Sequence, residues 1–252
     1  GADQISLQLL SELANSHPEI KLSRVKDESS NSCSLLHLCA KMNKIACMEM
    51  LMKSKVSVDI VDNLLATPLH YAVAHNCEAA TALLLANGAS INARDSYNKW
   101  SLLLALKNRN YKIARMLSKC DVHLKGTKGA SLLHMMAQEN NSAAVRFLVE
   151  EMNASPFRRD ANEEHVWFYS LPFPAVTDYM CTKFADRGSK ILSHENSFGR
   201  TLLHECCING HFDSLLMILK HVKLSDEQIT QIVNKPDNHG DTPLILAVKN
   251  AR

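Results

Sequence analysis

The sequence predicts an all-α solenoid of stacked helix-turn-helix units joined by hairpin-like turns. Three observations carry that expectation. A short apolar motif returns at a spacing near 33 residues, 46% of the 252 residues are hydrophobic, and the clearest copy is bracketed by residues that start and stop helices. One such unit cannot bury its own apolar face, whereas stacked units bury a continuous core.

The second copy shows the logic of each element. It reads Ala66-Thr67-Pro68-Leu69-His70-Tyr71-Ala72-Val73. The Thr67 hydroxyl can cap a helix, and Pro68 suits a first turn, where no amide donor is needed. Leu69 and Ala72 fall on one helical face, and the small Ala lets a neighbouring helix approach closely. A second helix is predicted from Glu78 to Ala86, with Ala79, Leu83 and Leu84 facing inward. Gly88 then supplies a left-handed residue that ends it.

Other copies fall in the same phase. Ser34–Ala40 lies 33 residues earlier and Trp100–Leu106 lies 33 later, followed by Ser131–Ala137, Thr201–Cys207 and Thr242–Val248. Six copies are read in this way. The third departs from the pattern, with Trp100 at the capping position and Leu103 in place of His. The sixth has Ile245 in place of His and stops after its first helix, so the chain is expected to continue past Arg252.

The Thr-Pro-Leu-His-x-Ala pattern at this period, with the tail Leu83-Leu84-Leu85-Ala86-Asn87-Gly88-Ala89 in the second copy, resembles the ankyrin repeat. The resemblance spans residues 31 to 252 apart from one insert. It implies four repeats over 31–160, an insert over 161–195, and two further repeats over 196–252, the last incomplete, while the amphipathic stretch Ser6–Ala14 predicts that residues 1–30 form a helical N-terminal cap on the first repeat or the tail of another domain. The resemblance also implies that His37, His70, His134 and His204 hydrogen-bond within their own turn and to the adjoining repeat.

The insert has a character of its own. The step from His134 to His204 is 70 residues, and half of the fourteen aromatic residues lie between Phe157 and Phe184. Long segments inside a compact array are functional or disordered, and this composition is too apolar for a floppy linker. Trp167, Phe168, Tyr169 and Phe173 are therefore candidate interaction residues. The alternative is that these aromatics pack onto the solenoid and shield a seam.

Composition narrows the function classes. A net charge of +2 argues against nucleic-acid binding by charge. No apolar run approaches the roughly 20 residues needed to span a bilayer. The eight cysteines contain no CxxC pair, which reads as reduced thiols in a cytosolic or nuclear compartment. A host-cell cytosol would fit a secreted bacterial effector.

Catalytic and metal readings fare poorly. His204-Glu205-Cys206-Cys207 with His211 has the look of a zinc cluster, but Cys206 and Cys207 occupy small helix positions of the repeat. Cys181, with His165 and His194 in the same segment, could form a nucleophile pair, although its spacing matches no signature. No nucleophile elbow, phosphate loop or HExxH is found, so neither an enzyme nor a cofactor is expected.

The resemblance implies a protein-binding scaffold or adaptor, with partners on a concave surface of turn tips and first-helix ends. The tips carry over as Asn63, Leu64 and Ala66; Ser96, Tyr97 and Lys99; Thr127, Lys128 and Ala130; and Ser197, Phe198 and Arg200. The helix-end positions are Lys41, Met42, His75, Lys107, Asn108, Gln138 and Glu139. Lys41, Lys99, Lys107 and Lys128 make that face mildly basic, which favours an acidic or mixed-charge protein or peptide segment. An alternative is a recruiting module of a larger enzyme or bacterial effector whose catalytic domain lies outside this chain.

Overall fold

The helix starts and stops read in the sequence are realised in a computed structural model, which describes residues 26–27, 32–222 and 224–250. The chain divides into two compact units, residues 1–121 and 122–252. The helical cap expected over 1–30 lies outside the described residues, apart from the short strand β1 (Lys26–Asp27). That strand pairs antiparallel with β2 (Cys33–Ser34).

In the first unit three helix pairs follow: α1 (Leu35–Lys41) with α2 (Ile45–Lys53), α3 (Pro68–Ala74) with α4 (Glu78–Ala86), and α5 (Ser101–Lys107) with α6 (Tyr111–Met116). First helices stack on first helices and second helices on second. Ser34 and Thr67 cap α1 and α3 from extended backbone. Trp100 takes that place before α5, fully buried, with the Arg94 guanidinium 5.0 Å from its ring centre. Bulk there replaces the capping hydroxyl.

Each pair of helices is joined by a tight turn with one left-handed residue: Asn43, Asn76 and Arg109 have φ of 56°, 58° and 55°. Asn tolerates this region because its short polar side chain bonds locally. Leu36, Ala40, Leu69, Ala72, Leu102 and Ala105 form the fully buried seam between first helices. In α4 the inward residues are Ala80, Thr81 and Leu84, not Ala79 and Leu83. The buried Thr81 hydroxyl donates to the Cys77 carbonyl of its own helix at 2.9 Å, and Ala79 is exposed.

The second unit starts with a 3-10 turn (Thr127–Gly129), then α7 (Leu132–Gln138) and α8 (Ser142–Glu150). The expected insert begins as another helix pair, α9 (Val166–Ser170) and α10 (Pro174–Lys183). α9 packs on α7, and α10 on α8, as first and second helices do elsewhere. A 3-10 turn (Ala185–Arg187) and α11 (Gly188–Ser193) are the added material. Then come α12 (Leu202–Asn209), α13 (Phe212–His221), the short α14 (Asp226–Val233) and α15 (Pro243–Asn250). The segment set apart as an insert therefore contains a divergent repeat, followed by one extra helix.

Among the described residues, no helix is long and apolar enough to cross a membrane.

Candidate functional site

The turn tips are built by one recurring device. At six places a backbone N–H donates to the carbonyl four residues on: Asp62 to Ala66, Asp95 to Lys99, Gly126 to Ala130, Asp160 to Glu164, Asn196 to Arg200, and Asp237 to Asp241. In five of these the first residue's Oδ1 also accepts two backbone N–H groups inside the loop. Asp95, for example, takes those of Tyr97 and Lys99 at 2.9 and 2.8 Å. The same pattern holds at Asp62, Asp160, Asn196 and Asp237. The fourth residue of each loop has positive φ, from Leu65 at 57° to Gly240 at 81°.

Neighbouring tips are laddered together within each unit. Ser96 N–H donates to Leu64 O, Ala161 to Lys128 O, Ser197 to Asn162 O, and Asn238 to Phe198 O. The histidines add a second link, as the family resemblance implies. His70 Nδ1 accepts the Thr67 N–H at 3.1 Å, which fixes the other tautomer, so Nε2–H donates to Lys99 O at 3.2 Å. His37, His134 and His204 repeat this toward Ala66, Glu164 and Asp241. Burial lowers the pKa of His70, His134 and His204, keeping them neutral in this role.

Since backbone and one carboxylate or amide satisfy five of the six loops, the side chains at those tips are released from structural work. Tyr97 is 63% exposed and Phe198 49% exposed. Each has a cation two residues on: Lys99 Nζ lies 5.3 Å from the Tyr97 ring and the Arg200 guanidinium 5.7 Å from the Phe198 ring. Exposed with them are Lys41, Met42, His75, Lys107, Asn108, Lys128, Gln138 and Glu139, while Leu64 and Arg200 are half-buried.

Some of these residues also serve the fold. The Asn108 amide donates to Ala74 O at 3.0 Å, and Arg200 Nε donates to Asp237 Oδ2 at 3.3 Å. Ala130, read as a tip residue, is buried. Sequence reasoning missed Leu65, which is 54% exposed at the second tip; its neighbour Leu64 drew attention because the left-handed position within the loop was not assigned.

The aromatic candidates separate. Trp167 is fully buried, so it is a core residue and not an interaction residue. It packs with Phe157 and Phe184 at ring distances of 5.2 and 5.7 Å. Phe168 is nearly buried, whereas Tyr169 and Phe173 are half-buried. These last three share a cleft of about 260 Å3 with Gln138, Glu164 and Pro172.

The thiol candidates are held in their neutral form. Burial pushes Cys181 and Cys206 up to about 12, the opposite of what a nucleophile or metal-binding thiolate needs. His165 stacks on His194 at 4.5 Å, yet burial and the His194 charge hold it down to about 3.

Residues 3–95 match the family model for ankyrin repeats in three copies. Of the solved structures, the ankyrin repeat domain of Bcl-3 has 20% identity and a TM-score of 0.70, covering 86% of this chain and 95% of that one.

The fold is that of an ankyrin-repeat array.

A chain from the Bdellovibrio bacteriovorus predatory endopeptidase in complex with its immunity protein is similar in fold. It shows 22% identity and a TM-score of 0.60 over 73% of this chain and 96% of that one. Among curated proteins, the Arabidopsis thaliana potassium channel AKT2/3 is 32% identical over 42% of this chain. The chain spans only 13% of that channel and at most 33% of the other curated relatives reported with it. Ankyrin repeats are generally protein–protein interaction modules, and the fold is typically a non-catalytic binding scaffold.

Proposed function

We propose that this ankyrin-repeat array is a scaffold or adaptor module that holds another protein against its tips and first-helix ends. The observation that carries the reading is the pair of exposed aromatics, Tyr97 and Phe198. They stand on loops whose geometry is already satisfied without them. Rigid aromatic anchors on a preformed surface lose little entropy on binding and dominate interface energetics. On the first unit, exposed Lys41, Lys99 and Lys107 favour an acidic or mixed-charge segment.

All eight cysteines are free thiols, which supports a reducing compartment such as cytosol or nucleus. A second reading is favoured by one observation: the chain spans a third or less of its curated relatives. On that reading the docking surface recruits targets to a larger protein, and any chemistry is performed outside these residues.

The test is capture from cytosolic lysate, followed by mass spectrometry. Two variants are compared with the parent: Tyr97→Ala with Lys107→Glu in the first unit, and Phe198→Ala in the second. Proteins lost from a folded variant identify the partner and the unit that holds it. Equal capture by the parent and both variants would remove the tips from the binding site.

A further inference from the structure

The cleft in the second unit differs in chemistry from the lysine-bearing tips. Phe168, Tyr169 and Phe173 give it aromatic walls, Pro172 an apolar rim, and Glu164 a carboxylate. Its 260 Å3 would hold roughly eight or nine waters at about 30 Å3 each, enough room for one long side chain.

We infer that this cleft, which rests on the docking function proposed above, is the seat for an arginine or lysine side chain of the partner protein. The occupant follows from charge and ring chemistry. The faces of aromatic rings carry negative potential and attract ammonium and guanidinium groups, more so when the site is partly desolvated. The Tyr169 hydroxyl donates to Asp160 Oδ2 at 2.6 Å, which fixes the ring at the cleft wall. Glu164 is held from behind: its carbonyl accepts from His134, and its Oε1 accepts from the Asn196 amide at 3.0 Å.

The surrounding charges strengthen the case. Burial is the main influence raising the Glu164 pKa, and the carboxylates of Asp160 and Glu205 raise it further. Three carboxylates thus crowd one region. The nearby cation Arg200 is engaged with Asp237 and Glu205 at 3.3 and 3.8 Å, while Arg159 pairs with Glu163 at 2.9 Å. An incoming cation relieves this repulsion, and an incoming anion worsens it. The partner therefore carries a basic residue where it meets the second unit.

The experiment titrates the full chain with N-acetyl-arginine methylamide, its lysine counterpart, and the neutral arginine isostere N-acetyl-citrulline methylamide. Backbone amide shifts at Gln138, Glu164 and Phe173 are followed by NMR. Arginine and lysine are expected to give saturable shifts, about fivefold weaker for citrulline, the size of one partly exposed charge pair. Glu164→Gln should weaken arginine binding to the citrulline level, and Phe173→Ala should weaken all three probes.

Equal binding of citrulline and arginine by the parent would overturn the inference, and so would an absence of shifts with every probe. That result does not depend on whether a variant folds. The docking proposal is judged separately by Tyr97 and Phe198, neither of which lines the cleft.

Discussion

His165 offers a sharp test of how the divergent repeat is built. It occupies the capping position taken by Thr67 in the second repeat. Its ring is buried against Trp167 and Phe168 at 5.2 and 5.1 Å, and neither ring nitrogen has a hydrogen-bond partner among the described residues. Folding holds its pKa down from 6.5 to about 3. At neutral pH both folded and unfolded forms are uncharged, and stability is undiminished. As pH falls below 6.5, only the unfolded chain takes up a proton, so stability is lost progressively until the folded pKa is reached. Between pH 7 and pH 5 this one group should cost on the order of 2 kcal/mol.

His165→Phe removes the titration and keeps a ring in place. It also removes two buried unsatisfied atoms, so the variant should match or exceed the parent at pH 7. The assay is urea unfolding at pH 7 and pH 5, followed by Trp167 fluorescence in a Trp100→Phe background. The parent should lose about 2 kcal/mol more than the variant over that interval. His70, His134 and His204 have lowered pKa values too, so both proteins should weaken in acid. Equal losses in parent and variant would show that His165 is not buried and neutral as described.

Three further outcomes follow from the geometry. His70→Ala strands the buried Thr67 N–H and frees the Lys99 carbonyl, and should cost about 2 kcal/mol in urea unfolding of the first unit; a cost near zero would mean that the imidazole links are dispensable. Gly199 has φ of +71°, and an added Cβ would collide with the Asn238 side chain and backbone. Gly199→Ala should therefore destabilise the second unit by about 2 kcal/mol, and an unchanged melting temperature would contradict the tip packing. A neutral-pH thiol reagent should label half-buried Cys207 faster than Cys181, whose thiol is buried and pushed up to about 12; fast selective labelling of Cys181 would revive the nucleophile reading.

The repeats that keep Ser or Thr three residues before His were legible, since both side chains are needed to close the cap. The divergent repeat was not, because His165 stands at the capping position and Phe168 at the histidine position. Its Val-Trp-Phe-Tyr-Ser run therefore reads as an aromatic insert. A fainter signal was present: Asp160 and Tyr169 have the same separation as Asp62 and Tyr71, and in both pairs the phenol donates to the carboxylate, at 2.6 and 2.8 Å. Measured from tip to tip, the long interval is two near-regular steps, Gly126 to Asp160 and Asp160 to Asn196. The cleft was less legible still. Glu164 carries no motif, and it meets Phe168 and Phe173 only once α9 and α10 have folded back on each other. At the tips, residue type alone marked Tyr97 and Phe198, but their exposure depended on the backbone bonds that make them structurally idle.

The most direct test of the docking surface is site-specific photocrosslinking in lysate. A photoreactive residue is placed at Tyr97 on a tip, or at exposed Lys119 beyond α6. The account predicts a discrete partner adduct from position 97, competed away by untagged parent chain, and none from position 119. Adducts from 119 alone would place the partner on another surface and contradict the account.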